Sequence, residues 1–108
     1  MSGVVDALQA ALAREHAAVY GYGVAGARLS GADRATVSAY LAAHKQDRDR
    51  LAAFVRAKGA TPVGAQPAYE LPVAVTSAAT ARSLGARIER STAGGYAELV
   101  RASTGAVR

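Results

Sequence analysis

The segment VDALQAALAREHAAVYGYGVAGARL, residues 5–29, decides the fold class. Its apolar and small residues, interrupted by Glu15, recur at alternating steps of three and four, the spacing of a helix that packs along one face. This stripe runs through Val5, Leu8, Leu12, Glu15, Val19, Tyr22, Gly26 and Leu29. The pattern predicts a long first helix over residues 3–29, in an all-α helical bundle.

Two further helices are predicted, over residues 31–58 and 76–103. Ser30 is the expected cap of the second helix, and Lys58-Gly59 supplies a cation and a left-handed stop at its end. Residues 59–75 contain all three prolines of the chain, which predicts an extended crossover. At about 3.1 Å per residue, this crossover can run the length of a helix and leave helices two and three parallel. A single long crossover is the topology of ferritin-like bundles.

Composition supports one small helical domain. The 108 residues are 51% hydrophobic, and 28 of them are alanine, the strongest helix former. Such a core is closely spaced and contains few large side chains. The chain has no cysteine, which excludes disulfide frameworks, thiolate zinc sites and cysteine nucleophiles.

The charge pattern favours a solvated surface over a nucleic-acid interface. The formal net charge is +5, but the cations are scattered from Arg14 to Arg108, and the densest cluster, residues 45–50, mixes both signs. The N-terminus lacks the features of a signal peptide, and no apolar run approaches the roughly 18 residues of a membrane span. These features predict a cytoplasmic protein with neither a membrane nor a nucleic acid as its partner.

Several short motifs lie in a fixed order along the chain. They are EHAAVYGYG (15–23), HKQDRD (44–49) followed by Leu51, GATP (59–62), PAYELP (67–72), and Ile88-Glu89 with Tyr96 seven residues after Glu89. Together they resemble a ferritin-like domain family of unknown function from actinomycete-type bacteria, over nearly the whole chain. The resemblance implies a ferritin-like bundle without an established biochemical role. It also implies a fourth helix after the position of Arg108, which this sequence lacks.

Four polar residues on the predicted helices are candidate metal ligands. Ferritin-like di-iron proteins place one Glu on each of two helices and Glu-x-x-His on the other two, because residues three apart share a helix face. Here Glu15 and Glu89 lie on separate helices, and His44-x-x-Asp47 has the same spacing in reversed order. His16 is a fifth candidate. One interpretation is therefore a site for one iron or manganese ion, with a role in metal handling or oxidative stress.

A structural interpretation uses the same positions without a cofactor. A buried carboxylate needs a partner, and Arg48 on the second helix is the expected partner of Glu15. His44 is then expected to bond Glu89 or Tyr22. Such a network fixes helix register, and the chain is then a non-enzymatic structural or interaction domain, expected to form a homodimer through its incomplete bundle face.

Overall fold

The computed structural model describes residues 3–105, and the regular secondary structure within this range is all helical. Three α-helices, α1 (Gly3–Gly26), α2 (Gly31–Ala57) and α3 (Ala78–Gly105), form an elongated bundle of 47 × 23 × 23 Å. An extended crossover, residues 58–77, joins α2 to α3. The predicted all-α bundle is confirmed. None of the three helices has the length and apolar character that crossing a membrane requires.

Four helix boundaries differ from the prediction by one to three residues, two of them the ends of α2 (Ala57 instead of residue 58) and of α3 (Gly105 instead of residue 103). Helix α1 ends at Gly26 instead of residue 29, because the N–H of Arg28 donates to Ala25 O (3.0 Å) and that of Leu29 to Gly26 O (3.2 Å), which tightens the chain into turns. Helix α3 begins at Ala78 instead of residue 76. Its cap is reciprocal, since the N–H of Thr80 donates to Ser77 Oγ and the N–H of Ser77 donates to Thr80 Oγ1.

The two ends of α2 are built differently. At its end, the N–H of Gly59 donates to Arg56 O (2.9 Å) and the N–H of Ala60 to Val55 O (3.2 Å). This paired arrangement needs a left-handed residue, and Gly59 has φ +81°. At its start, Ser30 occupies the cap position, but its side chain makes no capping hydrogen bond, so that part of the prediction is wrong.

Helix α1 is the central helix, antiparallel to both others. Along α1, Glu15 meets His44 of α2 and Gly26 lies against Val37, so residue numbers fall on one helix as they rise on the other. The same holds for α3, where Tyr96 bonds Glu15 and Ile88 lies against residue 21. Helices α2 and α3 are therefore parallel. No Cα of α2 lies within 8 Å of a Cα of α3 in the described chain, so side chains alone bridge them.

The crossover follows α1 from its N-terminal half toward its C-terminal half. Gln9 binds it with two hydrogen bonds, one to Thr61 O (2.7 Å) and one from the N–H of Val63 (2.8 Å). Further along, the ring of Tyr69 packs on Tyr20, with centroids 5.8 Å apart. These contacts carry the chain back past α1, which is what makes α2 and α3 parallel.

The apolar core is divided into two clusters. One joins α1 to α3 near the C-terminal half of α1, and the other joins α1 to α2 near its N-terminal half. The first contains Ala18, Tyr22, Ala25, Leu29, Ala81, Leu84 and Ile88, and the second contains Leu8, Ala11, Leu12, Leu51 and Val55. Helix α3 approaches α1 closely at Gly95, where a Cβ atom would lie 3.4 Å from the Cα of Ala11. A polar layer separates the two clusters.

Candidate functional site

The polar layer is centred on Glu15 and His44, which the helix periodicity places on buried faces. Glu15 lies between Leu12 and Ala18 on the inner face of α1 and is 0% exposed. His44 is buried on α2, seven residues before Leu51, and therefore on the same face of that helix. Because α1 and α2 are antiparallel, the two side chains meet inside the bundle.

Five side chains from three helices form one hydrogen-bonded chain through this layer. His44 Nδ1 lies 2.5 Å from Glu15 Oε1, and His44 Nε2 lies 2.7 Å from Glu89 Oε2. The hydroxyl of Tyr96 donates to Glu15 Oε2 (2.8 Å), and that of Tyr22 donates to Glu89 Oε2 (2.5 Å). The order is thus Tyr96, Glu15, His44, Glu89, Tyr22.

The chain has an internal symmetry that follows from helix geometry. On α1, Tyr22 follows Glu15 by seven residues, and on α3, Tyr96 follows Glu89 by seven. Two turns of helix place both members of each pair on one face. Since α1 and α3 are antiparallel, each glutamate faces the tyrosine of the other helix.

The electrostatics of the layer favour a charged imidazole and neutral phenols. Burial by itself lowers the pKa of His44, but the hydrogen bonds to Glu89 and Glu15, with their negative charges, outweigh burial and raise the pKa above its ordinary value of 6.5. Burial, followed by the hydrogen bond to a carboxylate, raises the pKa of Tyr22 and that of Tyr96. Both phenols therefore remain donors.

The buried polar groups of the layer are satisfied within the chain. Both nitrogens of His44 and both oxygens of Glu15 have partners, and in residues 3–105 no buried side-chain nitrogen or oxygen is left without a hydrogen bond. The ring of His44 also stacks on Tyr22, with centroids 5.4 Å apart and planes at 26°. The layer thus contains two carboxyl groups and one imidazole.

Three of the predicted metal ligands share a common space. One ligand atom each from Glu15, His44 and Asp47 lie within 4.8 Å of one another. Glu89 contacts the other nitrogen of His44. Two donors bound to one ion at about 2.0–2.2 Å lie about 3 Å or more apart. The 2.5 Å between Glu15 and His44 would therefore have to lengthen, and His44 would have to lose its proton.

Two predicted participants lie elsewhere. Arg48 was expected to pair with Glu15, but its Nε donates to Asp49 Oδ1 (3.0 Å), because both oxygens of Glu15 already bind His44 and Tyr96. His16 binds the crossover instead, with Nε2 2.9 Å from Val63 O. The pairing of Arg48 is thus corrected, and His16 is a structural contact.

Sequence reasoning missed Tyr96 as a member of the layer, although a signal for it was present. The equal seven-residue spacings from each glutamate to a tyrosine indicate crossed pairing between antiparallel helices. Recognising that pairing requires knowing that α1 and α3 are neighbours. The prediction named Tyr22 as a partner and included Tyr96 only in the motif seven residues after Glu89.

Comparisons with known proteins agree with the fold. Residues 7–108 match a family described as "Domain of unknown function (DUF4439)". The structure is similar to a conserved hypothetical protein, rv2844, from Mycobacterium tuberculosis, with a TM-score of 0.88 and 35% sequence identity over 92% of this chain and 75% of that chain. A search of curated proteins found no match.

The hydroxyl of Tyr96 tests the energetic role of the layer. Tyr96→Phe leaves one oxygen of the fully buried Glu15 without a donor, so we expect a loss of about 1–3 kcal/mol in the free energy of unfolding. Tyr22→Phe should cost less, because Glu89 is half exposed and water can replace the lost donor. Urea denaturation measures both variants. Tyr40→Phe, at an exposed ring, is the control, and equal stability of all three variants would contradict the expectation.

The raised pKa of His44 makes stability depend on pH. The contribution of His44 to the free energy of unfolding is complete below the unfolded-state pKa of about 6.5, and it is lost as the pH rises through the higher folded-state pKa. The stability difference between the wild type and His44→Gln should therefore shrink over that window. NMR titration of the His44 ring in the wild type provides the second measurement. A pKa at or below 6.5 would refute the assignment.

Proposed function

Since the chain belongs to the DUF4439 family, whose function is unknown, we propose its role from its own geometry: a non-enzymatic structural and interaction domain. The observation that carries this proposal is the closed set of hydrogen bonds in the polar layer. A catalytic base or nucleophile needs a free reactive atom toward a substrate, whereas His44 has both nitrogens held by carboxylates. The layer is suited to locking three helices in register.

The arrangement of the helices supports a ferritin-like topology. Helix α1 packs antiparallel to α2 and α3, which are parallel and separated, and one long crossover connects them. A four-helix bundle of this type places its fourth helix between α2 and α3, opposite α1. In this chain that position is an open face. We propose that the protein acts in the cytoplasm, as the sequence predicts.

The open face between α2 and α3, which we call the α2/α3 face, has the character of an interaction surface. It is lined by Tyr40 and Phe54 of α2, both about half exposed, and on α3 by Val100, one turn after Tyr96. Large apolar side chains grouped on one exposed face mark an interaction site. The α2/α3 face is therefore the part of the described surface best suited to a partner.

A second copy of this chain is the proposed partner of the α2/α3 face. The face carries three acids, Asp33, Asp47 and Glu89, and two bases, Arg50 and Arg82. A surface with both signs of charge can pair with itself across a two-fold axis, where each residue of one copy meets its complement on the other. Homodimerisation would bury the exposed rings.

Self-association is tested with Phe54→Asp. An aspartate at the centre of an apolar contact is expected to weaken a dimer by at least about tenfold, ~1.4 kcal/mol. Sedimentation equilibrium measures the molar mass, which for the wild type should approach twice 11.0 kDa as concentration rises. Val63→Asp is the matched control, because Val63 is exposed on the crossover beside α1. A wild type that stays monomeric at all concentrations would eliminate the second copy as partner.

Metal binding is the second candidate function, favoured by the proximity of Asp47 to Glu15 and His44. One nitrogen and two carboxylate oxygens suit iron, manganese or zinc, with water completing the coordination. Such an ion would displace the proton of His44, so binding and protonation would compete. A role in metal handling or oxidative stress would follow from this candidate alone.

Asp47→Asn separates the two candidates, because Asp47 makes no hydrogen bond to the polar layer and pairs with Arg50 (3.6 Å). If the site binds an ion, the variant should lose at least about tenfold in Mn²⁺ or Zn²⁺ affinity by calorimetry, ~1.4 kcal/mol, with unchanged stability. Asp49→Asn, at an exposed neighbouring carboxylate, should bind as the wild type does. Equal affinity of the two variants, or no binding by the wild type, would reject the metal candidate.

A further inference from the structure

A cavity of about 280 Å³ opens between the first halves of α2 and α3. Tyr22 of α1 lines it together with Tyr40 and Val37 of α2. On α3, the small residues Gly85 and Ala86 keep the cavity open, and a Cβ atom at Gly85 would lie 3.5 Å from the Tyr22 ring. The lining is largely apolar, with aromatic rings on two sides.

One carboxylate in the lining of the cavity has an oxygen to which no group of residues 3–105 binds. Arg82 and Asp33 pair with each other, with Nη1 3.3 Å from Oδ2, so their charges cancel. The remaining charged group of the lining is Glu89, whose side chain is 47% exposed. Its Oε2 accepts the bonds from Tyr22 and His44, whereas Oε1 receives no hydrogen bond or ion pair from residues 3–105.

The polar layer is exposed to solvent at Glu89. Glu15 is enclosed, with one oxygen bonded to His44 and the other to Tyr96. Glu89 is therefore the acidic group through which the layer meets the cavity. A cation beside Glu89 Oε1 would neutralise it, and an anion would be repelled.

The aromatic walls favour an organic cation over a hydrated inorganic one. The rings of Tyr22 and Tyr40 lie 5.9 Å apart and tilted by 47°. Tyrosine faces attract cations within about 6 Å, and apolar walls gain from covering hydrocarbon. The volume is at the small end of ligand pockets, roughly 300–1,000 Å³. A single ring or short alkyl chain fits that size.

We propose that this cavity binds a small organic ammonium ion, with its charged nitrogen on Glu89 Oε1 and its hydrocarbon part against Tyr22, Tyr40 and Val37. All of these groups belong to one chain. The inference therefore goes beyond the interaction role proposed above and does not require a second copy.

Calorimetric titration with matched probes tests the charge requirement. 2-Phenylethylammonium is expected to bind at least about tenfold more tightly than the neutral 2-phenylethanol, and 3-phenylpropionate should show no binding. Methylammonium, which has the charge without the ring, should bind weakly because it leaves the walls uncovered. Equal affinity for the ammonium ion and the alcohol would overturn the proposal.

Variants tie the binding to this cavity. Ala86→Met fills it without altering the polar layer, and should reduce 2-phenylethylammonium affinity at least about tenfold with no loss of stability. Ala97→Met, at an exposed position of α3 outside the cavity, is the control and should bind normally. Glu89→Gln should remove the preference for the ammonium ion over the alcohol. Wild-type affinity in Ala86→Met would also overturn the proposal.

The same titration on Phe54→Asp separates this inference from self-association. Phe54 does not line the cavity, so the variant should bind the probe at least as tightly as the wild type, and more tightly if the wild type dimerises through the face onto which the cavity opens. Loss of probe binding in this variant would show that a second copy forms part of the site. That result would contradict the single-chain cavity proposed here.

Discussion

The imidazole of His44, held between Glu15 and Glu89, is the interaction on which the rest of the structure depends. It is the point at which side chains of α1, α2 and α3 meet, and the one other ion pair between α2 and α3 in the described chain is the exposed Arg82–Asp33 pair. Burying charges is costly unless they are paired with good geometry, and a buried pair with one member removed leaves an uncompensated charge. Each helix can therefore adopt only the rotation about its axis and the offset along it that keep all five groups of the layer hydrogen-bonded.

This requirement explains how a core poor in large side chains has a single arrangement. Alanine and glycine let α3 approach α1 closely, as at Gly95, but flat surfaces of small residues can slide past each other with little change in contact. The two apolar clusters stabilise the bundle on either side of the layer. The crossed pairing of Glu15 with Tyr96 and of Glu89 with Tyr22 then fixes the offset.

The same layer links the inside of the bundle to its α2/α3 face. Glu15 is enclosed, whereas Glu89 is half exposed, so the layer presents a carboxyl group to solvent on the side of Glu89. Tyr22 belongs to the polar layer, to the first apolar cluster and to the lining of the cavity at once. A ligand or a second chain that contacts Glu89 on that face would therefore alter the environment of His44, because Glu89 binds His44. The proposed recognition would therefore use side chains that also support the structure.

The sequence by itself determined the helices, the crossover and the buried positions. Spacings of three and four depend only on the geometry of one helix, and the turn at Gly59 depends on a few neighbouring residues. For this reason Glu15, His44, Glu89 and Tyr22 could be expected to lie inside the bundle from the pattern of the chain alone.

Only the tertiary structure decided which of these groups bind each other, because partners across helices depend on the rotation and offset between helices, which no local pattern contains. Arg48 lies one turn from His44 yet binds its neighbour Asp49. Tyr96, from a distant part of the chain, occupies the position beside Glu15 that was expected for Arg48. A shift of one residue on a helix turns a side chain by about 100°, enough to exchange an interior partner for water.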